Sequence, residues 1–287
     1  MGKFQTGQEN MDNFYVIINE RKDKEYEITK KICEYLEGQG KKCTLAQLDS
    51  TGYLIQEKIP PGIDCALVLG GDGTIIRASR ELAPLEVPIL GFNLGTLGYL
   101  AEVEIGDFKE SLEKLFTGDF TIEKRMMLQG SINGKTEKTA INDIVITREG
   151  SLRIVNFDVY VNGILLNNYT ADGIIVCTPT GSTGYNLSAG GPIVEPTANI
   201  VVMSPICSHA LNTRSIVLSS NDVIEVEVGK ERYSSVERMA TTFDGSEPVS
   251  MKTGDRIIIS KSKRVTKLVR ITEESFLKTI QTKMKGN

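Results

Sequence analysis

Residues 64–74 read Asp-Cys-Ala-Leu-Val-Leu-Gly-Gly-Asp-Gly-Thr, an apolar run that breaks abruptly into three glycines with a carboxylate among them. The apolar part predicts a buried strand, and the residues from Thr74 onward predict a helix. Glycines at such a junction let the backbone turn sharply and aim its N–H groups at an anion. The stretch therefore predicts a phosphate-binding turn in an α/β domain.

The carboxylate of Asp72 is the unusual part of this turn. A carboxylate held ~4 Å from a phosphate is repelled by about 4 kcal/mol at an effective dielectric of 20. Asp72 is therefore expected to face a metal ion or a proton that has to be removed. A second interpretation is a tight strand-to-helix turn in which Asp72 caps the helix N-terminus. The residues alone leave both interpretations open.

Composition limits the class of protein and its partners. With 287 residues, 40% of them hydrophobic, the chain can bury a core and is expected to form two domains. A net charge of −4 argues against nucleic acid or an anionic membrane surface as a partner. No apolar run reaches the ~18 residues that span a bilayer, and no signal-peptide core is found, so we expect a cytoplasmic protein.

Cysteine and histidine usage adds two expectations. The five cysteines are odd in number and follow no pattern, which favours reduced thiols over a disulfide framework. His209 is the only histidine, which excludes a metal site built from several histidines. We assign no protein residue as a metal ligand.

The order of structural signals predicts the architecture. Strand signals alternate with helix signals over the first ~120 residues: strands at 14–18, 65–69 and 87–92, and helices at 22–38, from Thr74, and after a capping box of Asp107 and Glu110. Hairpin signals then dominate: Asn133-Gly134, Asn162-Gly163 and Asp244-Gly245. A strand at 268–271 and a helix around Phe276 follow. The prediction is an α/β N-terminal domain with a mostly parallel sheet (12–122 plus the returning tail 265–287) and a β-rich C-terminal domain (123–264).

Three further stretches could bind a ligand. Phe92, in the glycine-rich stretch 91–98, offers a flat surface for a nucleobase, or it is simply a core residue. Asn142-Asp143 could accept hydrogen bonds from a sugar diol, or form an Asx turn at a strand edge. Residues 170–192 run from a buried strand into a loop rich in hydroxyls and glycines, where Tyr185 could stack on a base. We interpret this last stretch as a binding loop.

These motifs, in this order, resemble those of NAD kinases, and the resemblance spans nearly the whole chain. It implies an enzyme that transfers a phosphoryl group from ATP, with Mg²⁺ or another divalent metal, to the 2′-hydroxyl of the adenosine ribose of NAD, giving NADP. It also implies ATP phosphates on the N-terminal domain, NAD on the C-terminal domain, and a homodimer or homotetramer. Diacylglycerol, sphingosine and phosphofructo-kinases share the Gly-Gly-Asp-Gly-Thr motif. A kinase acting on a lipid or sugar hydroxyl, or a non-catalytic nucleotide sensor, therefore remains as an alternative.

The resemblance also assigns roles to residues. Asp72 is the expected proton acceptor. The expected phosphate-binding residues are Gly70, Gly71, Gly73, Thr74 and Arg77. The expected NAD-binding residues are Asp72, Gly73, Phe92, Asn142, Asp143, Arg153, Thr170, Asp172, Thr183, Gly184, Tyr185, Asn186, Leu187, Ser188 and Ser246. Two positions depart from the family pattern, since Gly184 stands where Ala is usual and Ser246 where many members have Gln.

Overall fold

The computed structural model describes residues 5–6, 11–95, 98–150, 155–210, 213–229, 238–272 and 276–285. The chain divides into two compact units, Met1–Lys124 with Val265–Asn287, and Arg125–Arg264. We describe each unit by itself.

The first unit alternates strands and helices. Its strands are β1 (Gln5–Thr6), β2 (Asn13–Ile18), β3 (Lys42–Leu45), β4 (Cys65–Gly70), β5 (Ile89–Asn93) and β6 (Val103–Glu104), and its first three helices are α1 (Glu27–Gly38), α2 (Asp72–Leu82) and α3 (Phe108–Thr117). Short 3₁₀ turns cover Gln56–Lys58, Ala83–Leu85 and Ile105–Asp107.

The sheet of this unit is parallel, in the order β3-β2-β4-β5, and β6 also pairs with β5. Because strand side chains alternate between faces, Leu67 and Leu69 of β4 pack with α1 and α3, whereas Ala66 and Val68 pack with α2. All six residues of β4 are buried. The carboxyl ends of β2, β4 and β5 lie at one edge of the sheet, which is where ligands bind in folds of this class.

Two helix starts differ from the sequence prediction. Helix α1 begins at Glu27 rather than at residue 22, because the buried Asp23 carboxylate accepts hydrogen bonds from the backbone N–H groups of Ile28 and Thr29. The residues before Glu27 therefore form a turn. The prediction of a capping box formed by Asp107 and Glu110 at α3 is wrong, since the Asp107 side chain makes no capping hydrogen bond.

The second unit is built from antiparallel strands, and the first and last of them also include residues 121–124 and 265–270 of the first unit. They are β7 (Thr121–Ile132), β8 (Thr136–Ala140), β9 (Asp143–Arg148), β10 (Val155–Val161), β11 (Ile164–Ala171), β12 (Gly173–Cys177), β13 (Ile200–Ile206), β14 (Ile216–Ser219), β15 (Ile224–Val228), β16 (Arg238–Phe243), β17 (Val249–Lys252) and β18 (Arg256–Arg270). A 3₁₀ turn, Thr180–Thr183, and a four-residue helix α4, Tyr185–Ser188, follow β12.

These strands form two layers around one core. One layer has the order β11-β10-β15-β18 and the other β14-β13-β12-β9-β16-β17. Phe157 and Val226 of the first layer share a buried cluster with Ile146, Val176 and Phe243 of the second. The second unit is thus β-rich, as predicted.

The three predicted hairpin turns are confirmed. Both residues of each pair, Asn133-Gly134, Asn162-Gly163 and Asp244-Gly245, have positive φ, between 49° and 77°. A two-residue turn with positive φ at both positions matches the twist of antiparallel strands, and Asn, Asp and Gly tolerate that conformation best.

The tail also behaves as predicted. Leu268 of β18 pairs in parallel with Ile89 of β5, and helix α5 (Phe276–Met284) follows in the same unit. The half-buried Arg270 forms ion pairs with Glu102 and Glu123, which hold the tail to the first unit. These findings confirm the predicted fold class.

The cysteine expectation is wrong at one pair. Cys33 of α1 and Cys43 of β3 form a disulfide, with Cα atoms 5.6 Å apart. Cys65, Cys177 and Cys207 are free, and the first two are buried. No helix among the described residues is long and apolar enough to cross a membrane.

Candidate active site

The glycine turn lies at the carboxyl edge of the sheet in the first unit, where β4 passes into α2. A Cβ at Gly70 would clash with the Thr74 side chain, and a Cβ at Gly91 of the neighbouring strand would clash with Ile75. Gly73, by contrast, has open space where a side chain would stand. The glycines therefore permit close packing beneath the turn and leave room above it for a ligand, as a phosphate-binding turn requires.

Asp72 does not cap the helix. Gly71 occupies the N-cap position, and Asp72 is the first helical residue. The Asp72 carboxylate accepts hydrogen bonds from the backbone N–H groups of Tyr99 (2.7 Å) and Leu100 (3.1 Å) and lies against Gly98. The capping interpretation is thus wrong. The carboxylate keeps lone pairs for another partner, since each oxygen can accept two hydrogen bonds.

Phe92 is a core residue. Its side chain is fully buried, in the cluster that packs α1 and α3 on the sheet. The prediction that its ring stacks on a nucleobase is therefore wrong. The aromatic residue beside Asp72 is Tyr99, which is partly exposed and lies near Phe276 and Lys283 of α5. Sequence reasoning missed Tyr99, although an aromatic residue directly after Gly98 was a usable signal.

The remaining phosphate-binding candidates differ in placement. Thr74 is buried, and its hydroxyl accepts a hydrogen bond from the Asn19 amide. Arg77 lines a cavity of about 360 Å³ and extends toward Gly52, with its guanidinium 5.9 Å from the centre of the Tyr53 ring. Gly71 and Gly95 face the Lys22 ammonium, a contact that the sequence analysis did not anticipate.

In the second unit, three neighbouring strands bring their ends to one edge of a layer. β9 begins there with Asp143, β12 ends there before the loop at 178–188, and β16 ends there before Asp244. The Asp244 carboxylate accepts backbone N–H bonds from Ile141 (2.9 Å), Asn142 (2.7 Å) and Asp143 (3.1 Å). Asp244 therefore shapes the corner that presents Asn142 and Asp143.

That corner presents two acceptors. Asn142 Oδ1 is buried and makes no hydrogen bond with any of the described residues. A Cβ at Gly184 would lie 3.7 Å from Asn142 Nδ2 and 3.9 Å from Asp143 Oδ2, so both side chains reach the same turn. Two adjacent acceptors suit a vicinal diol. A Cβ at Gly184 would also lie 3.3 Å from the Gly181 carbonyl oxygen, a tight contact for the alanine that is usual in the family.

Burial alters the acidity of Asp143. Loss of solvation, with a smaller contribution from the negative charge of Asp244, raises the pKa of Asp143 to about 7. The side chain is 6% exposed. A carboxyl with such a pKa changes charge near neutral pH, which is common at functional sites.

In the loop after β12, a buried side chain holds the backbone by hydrogen bonds and other side chains are exposed. Asn186 is fully buried, and its amide nitrogen donates to the carbonyls of Ser182 and Pro192 while its oxygen accepts from Ser204. Tyr185, Leu187 and Ser188 are exposed. Thr183 is half-buried, and its hydroxyl donates to the carbonyl of Thr180.

The other NAD-binding candidates lie elsewhere in the second unit. Thr170 and Asp172 precede β12 and so stand at its opposite end, ~17 Å from the loop by strand rise. Asp172 pairs there with Arg148 (3.2 Å), and Thr170 bonds Asn156. Ser246 belongs to the Asp244 turn, where its N–H donates to the Phe243 carbonyl. Arg153 lies outside the described residues.

Comparison with known proteins places this geometry in a family. Residues 14–120 match the family model of the ATP-NAD kinase N-terminal domain, and residues 141–271 match that of the C-terminal domain. The chain belongs to the ATP-NAD kinase family. The resemblance seen in the motifs is thereby confirmed.

Individual relatives of this family match over nearly their full length. The NAD kinase of Lachnospira eligens is 44% identical, covering 96% of this chain and 100% of the relative. The NAD kinase of Lachnoclostridium phytofermentans is 43% identical, covering 95% and 99%.

Solved structures agree on the fold. An NAD kinase from Archaeoglobus fulgidus in complex with ATP superposes with a TM-score of 0.76 at 26% identity, covering 95% of this chain and 98% of that one. Yeast NADH kinase complexed with NADH gives a TM-score of 0.89 at 24% identity, covering 99% and 91%.

The described residues contain no group of three or more His, Cys, Asp or Glu side chains arranged to hold a metal ion. Mg²⁺ usually keeps several waters and relies on substrate phosphates with few protein ligands. The residues of the glycine turn are thus compatible with a Mg²⁺ ion that arrives bound to ATP.

Proposed function

We propose that the chain is an NAD kinase, which transfers the γ-phosphoryl group of ATP to the 2′-hydroxyl of the adenosine ribose of NAD and releases NADP and ADP. The observation that carries this proposal is the pair of side chains Asn142 and Asp143, which reach the turn at Gly184, because Asn142 Oδ1 is buried without a hydrogen-bond partner among the described residues. A buried polar atom without a partner costs free energy unless a ligand satisfies it. A ribose hydroxyl is such a donor, and the 2′-hydroxyl that reacts keeps its own proton for Asp72.

Asp72 is proposed to take the proton. The 2′-hydroxyl attacks the γ-phosphorus, the bond from that phosphorus to the β,γ-bridging oxygen breaks, and the hydroxyl proton passes to the Asp72 carboxylate. Hydrogen bonds from Tyr99 and Leu100 hold this carboxylate in place. Phosphoryl transfer depends mainly on alignment and charge neutralisation, so an aligned carboxylate and backbone donors suffice on the protein side. The Mg²⁺ bound with ATP neutralises part of the charge on the phosphates.

The other residues are proposed to bind rather than react. The backbone N–H groups after Gly70 hold phosphates at the N-terminus of α2. The exposed ring of Tyr185 stacks on a base, while Asn186 keeps the loop in shape from within. Thr170 and Asp172 contact a part of NAD remote from the ribose held at Asn142, in keeping with their separation from the loop, and Arg153 is a further expected contact of NAD. A cytoplasmic homodimer or homotetramer completes the proposal.

One coupled assay tests this function. Purified protein is incubated with ATP, Mg²⁺ and NAD, and NADP is detected through glucose-6-phosphate dehydrogenase. Steady NADP formation is the expected result. Tight NAD binding without NADP would indicate a nucleotide sensor, and absence of NAD binding would indicate a kinase for a lipid or sugar hydroxyl. The same assay with polyphosphate in place of ATP, or NADH in place of NAD, identifies the donor and acceptor.

A further inference from the structure

A lysine lies over the glycine turn of the first unit. The Lys22 ammonium is 3.3 Å from the point where a Cβ would stand on Gly71 and 3.2 Å from the corresponding point on Gly95. These two glycines belong to different loops, one after β4 and one after β5. The ammonium therefore bridges two neighbouring loops at the carboxyl edge of the sheet.

The backbone on both sides of Lys22 is anchored. Asn19 donates its N–H to the Leu69 carbonyl, its carbonyl accepts the Lys22 N–H (2.8 Å), and its amide reaches the Thr74 hydroxyl. On the other side, the buried Asp23 carboxylate bonds the first turn of α1. Lys22 therefore leaves the chain from a turn that is tied to β4, α2 and α1.

The two glycines make room for this ammonium. Gly71 has a φ of −121°, which any residue adopts, and Gly95 is not among the residues with positive φ. Backbone conformation therefore does not require glycine at either position. A Cβ at Gly71 or Gly95 would come within 3.3 Å of Lys22 Nζ, and apart from the adjoining residues no other atom of the described part of the chain lies within 4 Å of it, so glycine at both positions leaves the ammonium undisturbed.

The ammonium makes no hydrogen bond or ion pair with any residue that the structure describes. An ammonium has three donors and binds phosphate as a point charge. The turn below it carries the Asp72 carboxylate, which repels a phosphate chain unless a cation offsets the repulsion. A cation held over this turn meets that requirement.

We propose that Lys22 binds the phosphate chain of the phosphoryl donor and holds it over the glycine turn. This inference rests on the proposed kinase function and adds to it the cation on the protein side of the donor site. Lys22 positions the donor rather than the acceptor, because the acceptor ribose is assigned to Asn142 and Asp143 in the other unit.

Steady-state kinetics test the assignment with a matched control. For Lys22→Ala we expect kcat/KM for ATP to fall roughly 10- to 100-fold, the loss of a hydrogen bond to a charged group. The KM for NAD should stay within about threefold, and Lys22→Arg should recover part of the loss because it keeps the charge. Lys24→Ala, an exposed lysine of the same turn, should match the wild type.

A double-mutant cycle tests the contact itself. Gly95→Ala places a methyl group 3.2 Å from Lys22 Nζ, so it should weaken ATP use in the wild type and add little in the Lys22→Ala background. Equal losses in both backgrounds would show that Gly95 acts independently of Lys22.

Nucleotide binding separates failure of this inference from failure of the proposed function. A non-hydrolysable ATP analogue with Mg²⁺ should bind Lys22→Ala roughly 10-fold or more weakly than wild type, while AMP should bind both alike. Wild type that makes no NADP would overturn the kinase proposal, and the binding comparison would still decide the role of Lys22. If Lys22→Ala binds the analogue as wild type does, or loses affinity for NAD and ATP equally, Lys22 does not hold the donor phosphates.

Discussion

Two aspartates, one in each unit, accept hydrogen bonds from the backbone of a neighbouring loop, but they are proposed to have different functions. Asp72 accepts backbone N–H bonds from Tyr99 and Leu100, and Asp244 accepts them from residues 141–143. In both cases a carboxylate fixes a neighbouring loop. In the second unit the shaping residue, Asp244, is separate from the proposed binding residue, Asp143. In the first unit Asp72 is proposed both to hold the loop and to take the proton, so a single substitution there changes structure and chemistry together.

The largest expected effect comes from Asp72→Asn. Asparagine cannot act as a base, so kcat should fall roughly 10²- to 10⁴-fold while NAD still binds. The amide also replaces one acceptor oxygen by a donor that opposes a backbone N–H group, so the loop at 98–100 should loosen as well. Thermal unfolding and NAD titration, run beside the kinetics, separate the two effects. A variant that keeps more than about a tenth of the wild-type kcat would remove Asp72 from the chemistry.

The second effect comes from Asp244→Asn, the counterpart in the other unit. Asparagine tolerates the positive φ of 52° at this position, but it retains one acceptor oxygen where two serve three N–H groups. We expect a loss of about 1–3 kcal/mol in unfolding free energy and a raised KM for NAD, with kcat reduced far less than in Asp72→Asn. Denaturant unfolding and steady-state kinetics provide the measurements. An unchanged unfolding midpoint would show that Asp244 does not hold the corner.

The third effect is a pH dependence carried by Asp143. A charged carboxylate is the better acceptor for a diol, and the pKa of Asp143 is raised to about 7. The KM for NAD should therefore rise as pH falls below about 7, approaching tenfold per pH unit. In Asp244→Asn the negative neighbour is gone, so the pKa of Asp143 falls and the inflection moves to lower pH. A KM that is flat between about pH 5.5 and 8.5 would contradict this prediction.

The same pKa predicts how stability varies with pH. The folded protein keeps the Asp143 proton to about pH 7, whereas the unfolded chain releases it near the ordinary value of 3.8. The neutral carboxyl therefore favours the folded state fully below pH 3.8, and that contribution is lost as pH rises through about 7. Relative to Asp143→Asn, the wild type should lose stability across this window. Unfolding curves of both proteins at several pH values measure the difference.

The smallest effect is expected at Tyr185, an exposed residue of the loop after β12 in the second unit. Tyr185 is 45% exposed and is proposed to contact NAD by stacking alone. Tyr185→Ala should raise the KM for NAD by the equivalent of about 1–3 kcal/mol, with a smaller change in kcat. Ile193, which is exposed and is not among the expected NAD contacts, is substituted by Ala to control for general loosening of the loop. If the kinetics of Tyr185→Ala match those of wild type, Tyr185 does not contact NAD.

Local patterns predicted much of the fold because they depend on neighbours in the chain. The apolar run at 65–69, the glycines after it and the three Asn-Gly or Asp-Gly pairs each specify a backbone conformation within a few residues. Alternation of strands and helices then identified the α/β domain. The start of α1 was misplaced because Asp23 caps the helix from outside its apolar pattern.

The sequence by itself determined the family, the glycine turn and the Asn142-Asp143 pair, because these are contiguous motifs whose chemistry can be read in place. Only the tertiary structure decided which side chains meet. In the structure Phe92 is buried and Tyr99 lies beside Asp72. The Asp244 carboxylate accepts hydrogen bonds from the backbone of residues 141–143, and the Lys22 ammonium lies over two glycine loops. The contacts of Asp72, Asp244 and Lys22 join residues 27 to 103 positions apart, which is why no local pattern contains them. The register of the sheets sets such contacts, since it decides which strand ends share an edge.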